Sequence, residues 1–209
     1  LKRYQRREAH PKAFAALKMK LDPMFMELPG LLEVPFEIRR IMDIGCGYGV
    51  PGCWFLERFD QAFLKGLDPD AERVRIASRV FGPRGTAEQD RAPQVPAFEY
   101  PADLCLMLDM VHFLSDEELA LTLKRIYQGL GSGRRLIMWV AIPPQGYPSW
   151  LWRMGAVRRR LFRMEGHYRS LERITRMVTL AGFQIGRAAP SGNNRESTWI
   201  IADTPHEAG

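Results

Sequence analysis

Three glycines at alternate positions, Gly45, Gly47 and Gly49, follow directly on Asp43 in the string DIGCGYG. Glycine lets a backbone turn sharply and approach a bound molecule with no Cβ in the way. A helix starting just behind such a loop offers free N–H groups to the polar or anionic end of a ligand. The spacing narrows the choice. A dinucleotide fingerprint counted from Gly45 needs glycine where Val50 stands, and no G-K-[S/T] follows for a P-loop. Asp68 lies 25 residues beyond Asp43, and a carboxylate at a strand end there can accept two hydrogen bonds from ribose hydroxyls. Glycine loop and paired aspartates together describe a nucleoside site. A third constellation is Asp109 with His112, three apart at the start of a helical turn and so able to share a face. An imidazole titrating at about 6.5 can take a proton from a hydroxyl or phenol, although packing or capping is an equally simple use of that histidine.

These residues need elements to hold them. RIMDI at 40–44 is a short apolar run ending in the glycines, the pattern of a buried strand entering a tight loop, and a helix should follow from about Pro51. A second strand at 62–67 delivers Asp68, and an amphipathic helix over 70–81 stops at Gly82-Pro83. A weak third strand is expected at 84–88. ADLCLML at 102–108 is continuous and apolar, as a central parallel strand buried on both faces should be. Ser115 caps a helix with an acidic first turn that closes at 129–133, and 135–142 is another buried strand. A last helix over 170–181 precedes two strands, 183–188 and 197–202, joined by a Gly-Asn-Asn turn. The alternation predicts an α/β doubly wound, mostly parallel sheet with an antiparallel C-terminal hairpin. Residues 1–36, with a basic amphipathic helix over 3–20 that intersperses Phe14, Leu17, Met19 and Leu21 among its charges, are expected to form a helical cap. Residues 37–209 form the main domain, with 143–169 as a lid-like insertion.

The chain has 209 residues, 46% of them hydrophobic and 26% charged, enough to bury a core without metals or disulfides. No run of about 18 apolar residues occurs to make a transmembrane span, and the alternation of basic and apolar residues over 1–20 gives no expectation of a signal peptide there. Cys46, Cys53 and Cys105 form no paired C-x-x-C spacing, so a reducing, cytoplasmic setting is expected. The histidines and carboxylates are too scattered for a metal site. Net charge is +6, but residues 1–20 carry +6 and residues 151–187 carry +7, which leaves the middle of the chain acidic. That asymmetry fits an acidic central pocket between basic peripheral elements, or simply solvated helix faces.

The stretches IMDIGCGYGVPG, GLDPDAERV, ADLCLMLDMVHFLSDEEL and GLGSGRRLIMW resemble the class I S-adenosylmethionine-dependent methyltransferases, and most closely their small-molecule branch, over roughly residues 37–202. The resemblance implies a seven-stranded sheet whose last strand is antiparallel, with S-adenosyl-L-methionine as methyl donor and S-adenosyl-L-homocysteine as product. It places Gly45, Gly47 and Gly49, with Cys46 and Tyr48 between them, along the methionine end. Asp43 would hold the ammonium and Asp68 the ribose hydroxyls, with Pro69 and Asp70 fencing the adenine. Asp90 would meet the adenine amino group, Gln89 and Arg91 being equally placed for that role. Asp109 and Met110 would pass the methionine moiety and open toward the acceptor. His112 would be the base, and His167 and Tyr168 would contact the acceptor.

The insertion sets Trp150 and Trp152 among arginines, so that a helix there would close over the site with an apolar inner and a cationic outer face. The acceptor expected is a small or lipid-like molecule, anionic or carrier-linked, methylated on oxygen ahead of carbon or nitrogen. Peripheral membrane contact fits the same residues. Two other readings stand beside this one. Nucleic-acid methylation suits the basic flanks but is opposed by LDMVH, which replaces the D/N-P-P-Y/F that presents a flipped base. The other is a non-catalytic cofactor-binding subunit of a larger assembly.

Overall fold

The computed structural model describes residues 3–4, 9–144, 146–147, 152–153, 166–192 and 196–206. Helix α1 (Ala9–Leu21) and the short α2 (Met24–Glu27) precede β1 (Arg40–Ile44). Then come α3 (Val50–Arg58), β2 (Phe63–Asp68), α4 (Ala71–Phe81), β3 (Gly85–Gln89) and β4 (Ala102–Leu108). A 3-10 turn (Val111–Phe113) leads to α5 (Asp116–Gly129), β5 (Leu130–Ala141), α6 (Leu171–Leu180), β6 (Gln184–Ser191) and β7 (Ser197–Asp203).

The seven strands lie in the order β3-β2-β1-β4-β5-β7-β6. All pair in parallel except β7, which runs antiparallel to both β5 and β6. The expected hairpin is therefore present, with β7 inserted between its partners. One face of the sheet packs on α3, α4 and the N-terminal helices, through Phe55, Phe81, Met24 and Ala15. The other packs on α5 and α6, through Leu119, Leu123, Ile174 and Val178. β4 is buried at every position, as its unbroken apolar string requires. β1 has β2 on one side and β4 on the other, so the chain reverses direction across the sheet at β1. In such sheets ligands bind at that switch point, beyond the strands' carboxyl ends.

Local chemistry fixes the helix starts. Asp70 caps α4 by accepting from the Glu72 and Arg73 N–H groups, and Ser115 caps α5 in a capping box with Glu118. Two boundaries differ from expectation. β5 begins at Leu130 rather than 135, because its Gly-Ser-Gly stretch pairs through backbone: Gly133 N donates to Pro205 O, and Thr204 N to Arg134 O. The first helix begins at residue 9, residues 3–4 lying in a turn, and its large apolar side chains do not face the core. The buried positions on α1 are Pro11 and Ala15, while Phe14, Leu17, Met19 and Leu21 are exposed.

The N-terminal segment is nevertheless tied down at both ends. Arg3 donates to the Val80 and Phe81 carbonyls, and the Tyr4 hydroxyl donates to the Tyr48 carbonyl at 3.0 Å. Glu27 accepts from Ser191 Oγ, Gly192 N and Trp199 Nε1 at 2.5–2.8 Å. Partial burial pushes the Glu27 carboxyl upward, but these donors and the nearby Arg187 outweigh it and hold it below its usual range.

Phe81 closes the core beneath the glycine loop. Its ring lies where a Cβ on Gly49 or Gly52 would be, at 2.8 and 2.7 Å respectively. Phe81→Ala should cost roughly 3–5 kcal/mol of stability by opening a cavity there, read as a shifted midpoint in chemical denaturation. A cost below 1 kcal/mol would mean that the loop collapses to fill the space.

Candidate active site

Asp43 is the last residue but one of β1 and Asp68 ends β2, so the sheet's own register brings the two carboxylates to adjacent strand tips. Asp68 is fully engaged with backbone. Its Oδ2 accepts from Gly47 N and its Oδ1 from Asp70 N, both at 3.0 Å, and Arg73 lies 3.9 Å from Oδ1. Asp68 therefore braces the glycine loop to the start of α4. Asp43 differs. It is 2% exposed, and among the described residues its Oδ2 has no hydrogen-bond partner. Burial, with the charge of Asp68 adding to it, pushes its carboxyl up to about 7. A buried, unsatisfied carboxylate oxygen is costly unless something positively charged or hydrogen-bonding meets it.

Gly45, Gly47 and Gly49 all adopt positive φ, at 76°, 55° and 78°. At Gly45 the reason is also steric, since a Cβ there would lie 2.9 Å from Met110 Cβ. At Gly47 nothing lies within 4 Å of the missing Cβ, so this part of the loop borders open space. Cys46 is buried against Gly66, and burial first, then Asp43 and Asp68, drives its thiol far above its usual range. It is a packing residue. Cys105 is likewise held protonated by burial.

Tyr48 turns outward. His10 and Phe14 of α1 meet its ring edge-on at 6.1 and 5.6 Å, and the Arg73 guanidinium lies 5.7 Å from its centroid. Its visible work is to dock α1 on the loop. Pro69 is exposed and its carbonyl accepts from Gln89 Nε2, while Asp70 is spent on capping α4. Asp90 accepts locally from Arg91 N, and Arg91 pairs with Glu118 of α5 at 2.8 Å. Of these three neighbours, only Gln89 has its side chain turned to the Pro69 loop.

β4 delivers Asp109 in a left-handed conformation (φ 61°), its N–H bonded to Trp139 O. A non-glycine residue held there carries strain that the surroundings must impose, a feature that gathers at functional sites. Asp109 is exposed, yet it lies deep among protein atoms. Their desolvation pushes its carboxyl up to about 6, with Lys18 opposing and Asp22 adding. Met110 is buried behind it.

His112 stacks on Tyr168, ring centroids 5.2 Å apart and nearly parallel, and Trp152 meets Tyr168 edge-on at 5.1 Å. His167 N donates to His112 O at 2.7 Å, while the His167 side chain is exposed on a neighbouring open cleft of about 400 Å³. The expected acceptor residues His112, Trp152, His167 and Tyr168 are thus gathered at one place. Trp150, and most of the 143–169 lid, lie outside the described residues.

Sequence reasoning missed the residue that gathers them. Arg169 is 5% exposed and donates to the carbonyls of Val111, Leu114 and His167 and to Asp116 Oδ1. Arg173 also pairs with Asp116, and the two arginines hold that carboxyl down at about 2. One of many arginines in a basic stretch, Arg169 has no local pattern to mark it. Arg73 and the Lys18–Asp22 pair, which act on Asp68 and Asp109, were missed for the same reason.

Residues 41–133 match the family model of a methyltransferase domain. That stretch of the chain is a methyltransferase domain. A search of curated proteins finds no match. Among solved structures, the pyocyanin biosynthetic protein PhzM is similar at 20% identity and TM-score 0.72, covering 95% of this chain and 59% of its own. Human N-acetylserotonin methyltransferase, solved with SAM, is similar at 17% identity and TM-score 0.70, covering 93% and 55%. A methyltransferase from Mesorhizobium loti is similar at 17% and 0.72, covering 88% and 99%. At these identities the likeness concerns the methyltransferase fold, and the chain spans under three-fifths of the first two proteins.

Two predictions follow from the geometry. Arg169→Met should lower stability by roughly 1–3 kcal/mol by leaving three carbonyls unmatched and Asp116 to Arg173 alone, and should weaken the near-ultraviolet circular dichroism of the Trp152–Tyr168–His112 stack. An unchanged aromatic signal would show that the stack holds itself. Asp43 makes a prediction about pH. Because its folded pKa is raised from 3.8 to about 7, the native state keeps a proton that the unfolded chain loses. Its contribution is fully favourable below about pH 4 and is lost as pH rises toward 7, at up to about 1.4 kcal/mol per unit. Asp43→Asn should flatten the stability profile between pH 4 and 7; a profile parallel to wild type would contradict the burial of this charge.

Proposed function

We propose that the chain transfers a methyl group from S-adenosylmethionine to an oxygen of a small or lipid-like organic acceptor. The observation that carries this reading is the buried Asp43 oxygen without a partner beside an open glycine cradle. S-adenosylmethionine fits that arrangement group by group. Its ammonium would satisfy Asp43 and offset the repulsion from Asp68. The oxygens of Asp68, oriented by Gly47 and Asp70, each keep a further lone pair for a ribose hydroxyl. When bound, the cofactor supplies an electrophilic methyl group on a sulfonium, which displacement by a well-placed nucleophile suffices to move.

The remaining work falls to the chain's own residues. Asp109, with its carboxyl raised to about 6, can hold or receive an acceptor's hydroxyl proton near neutral pH at little cost. His112 is the second candidate for that proton, placed two residues past Met110 and fixed by its stack on Tyr168. Trp152, Tyr168 and exposed Phe113 give the acceptor side an aromatic wall suited to an apolar body. N-acetylserotonin, in the name of one structural neighbour, is a small molecule, and that neighbour was solved with SAM.

The test is label transfer from methyl-labelled S-adenosylmethionine to a panel of phenols, hydroxy acids and extractable lipids. Label should appear in a small organic product. Asp68→Asn should weaken cofactor binding tenfold or more, while His112→Ala should leave that binding within twofold and slow transfer by roughly 10²-fold. Label entering RNA instead, or tight cofactor binding with no transfer to anything, would overturn the proposal.

A further inference from the structure

Helix α1 is amphipathic the wrong way round. Its face toward the protein carries Pro11 and Ala15, and its outer face carries Phe14, Leu17 and Leu21 at positions i, i+3 and i+7. Leu17 is 59% and Leu21 67% exposed, and Met26 on the following helix is 84% exposed. Scattered exposed apolar side chains are ordinary, but a clustered set marks a surface that meets something. The helix contains no acid; exposed Lys20 lies beside Leu17 on its surface, and exposed Lys12 lies beside Met19 at the edge of the outer face. Among the described residues neither lysine has an ion-pair partner, whereas the acids that follow are already engaged. Asp22 is paired with Lys18 at 2.9 Å, and Glu27 is enclosed by its three donors. The whole of residues 1–20 balances at +6.

We infer that the outer face of α1, together with Met26, docks on an anionic lipid surface. A protein partner of matching apolar shape would ask for complementary acids and for few free lysines at the contact. A bilayer carrying negative headgroups takes the apolar side chains into its boundary and the lysines into its headgroup layer at once. The position of the helix gives the contact a consequence. His10 and Phe14 of α1 hold Tyr48 of the glycine loop, and Lys18 and Asp22 bear on Asp109, so the docking helix lies beside the glycine loop and Asp109. The contact itself needs no cofactor and stands apart from the methyl-transfer reading.

Flotation of the full chain with vesicles tests it, in low salt and without S-adenosylmethionine. Vesicles of phosphatidylcholine with a quarter phosphatidylglycerol should carry the protein at least tenfold more than pure phosphatidylcholine, and 0.5 M salt should release it. Leu17→Glu/Leu21→Glu and, separately, Lys12→Glu/Lys20→Glu should each lower that binding roughly tenfold. Both sit on exposed side chains, so an unchanged melting temperature checks the fold. Wild-type binding no stronger than that of the Leu17→Glu/Leu21→Glu variant would overturn the proposal. So would light scattering that shows a dimer which this variant dissolves, because the face would then belong to a second copy.

Discussion

Two carboxylates at neighbouring strand tips, one braced and one left without a partner, set the terms for the rest of this molecule. Parallel pairing of β1 with β2 sets Asp43 opposite Gly66, two residues before Asp68, and so brings both carboxylates to one end of the sheet whether or not their charges agree. Asp68 is stabilised by two backbone donors, and those same bonds shape the glycine loop. Asp43 has only burial and a like charge nearby, which together raise its carboxyl to about 7. Such a site is unfavourable in the folded chain until a cation or donor meets it. Met110 and Phe81 pack close where Gly45, Gly49 and Gly52 lack a Cβ, while Gly47 borders the open space left for that encounter.

A second set of contacts gathers His112, Trp152 and Tyr168 from distant pieces of chain. Arg169 lies more than fifty residues from the turn whose carbonyls it binds, and it is this long reach that places Tyr168 on His112. Elsewhere, α1 joins Tyr48 to the environment of Asp109. The sheet end that carries the two aspartates is thus flanked by two peripheral segments, each held by a few polar bonds. That division suits a fold whose cofactor chemistry is constant and whose acceptor can vary.

The central sheet was legible because its signals are local and repeat along the chain. RIMDI, ADLCLML and the capped helices at Asp70 and Ser115 each carry periodicity or capping chemistry within a few residues. The glycine loop and the strand-end aspartates were legible for a similar reason, since both are short-range patterns. What escaped is tertiary. Nothing near Arg169 distinguishes it from the other arginines of its segment, and its role appears only when Val111, Leu114 and Asp116 surround it. The orientation of α1 was hidden because alanine on the inside and leucine on the outside reverse the usual sense of a helical stripe. Tyr48 looked like a ligand contact from its neighbours in sequence, yet its neighbours in space are His10, Phe14 and Arg73.

The most direct measurement is calorimetric titration of S-adenosylhomocysteine near pH 6.5 in two buffers of different ionisation enthalpy, for the wild type and Asp43→Asn. If the ligand's ammonium meets Asp43, binding must expel the proton that burial retains there. The observed enthalpy of the wild type should then vary with the buffer, by an amount that Asp43→Asn removes. Absence of binding, or a wild-type enthalpy that does not vary with the buffer, would contradict the account.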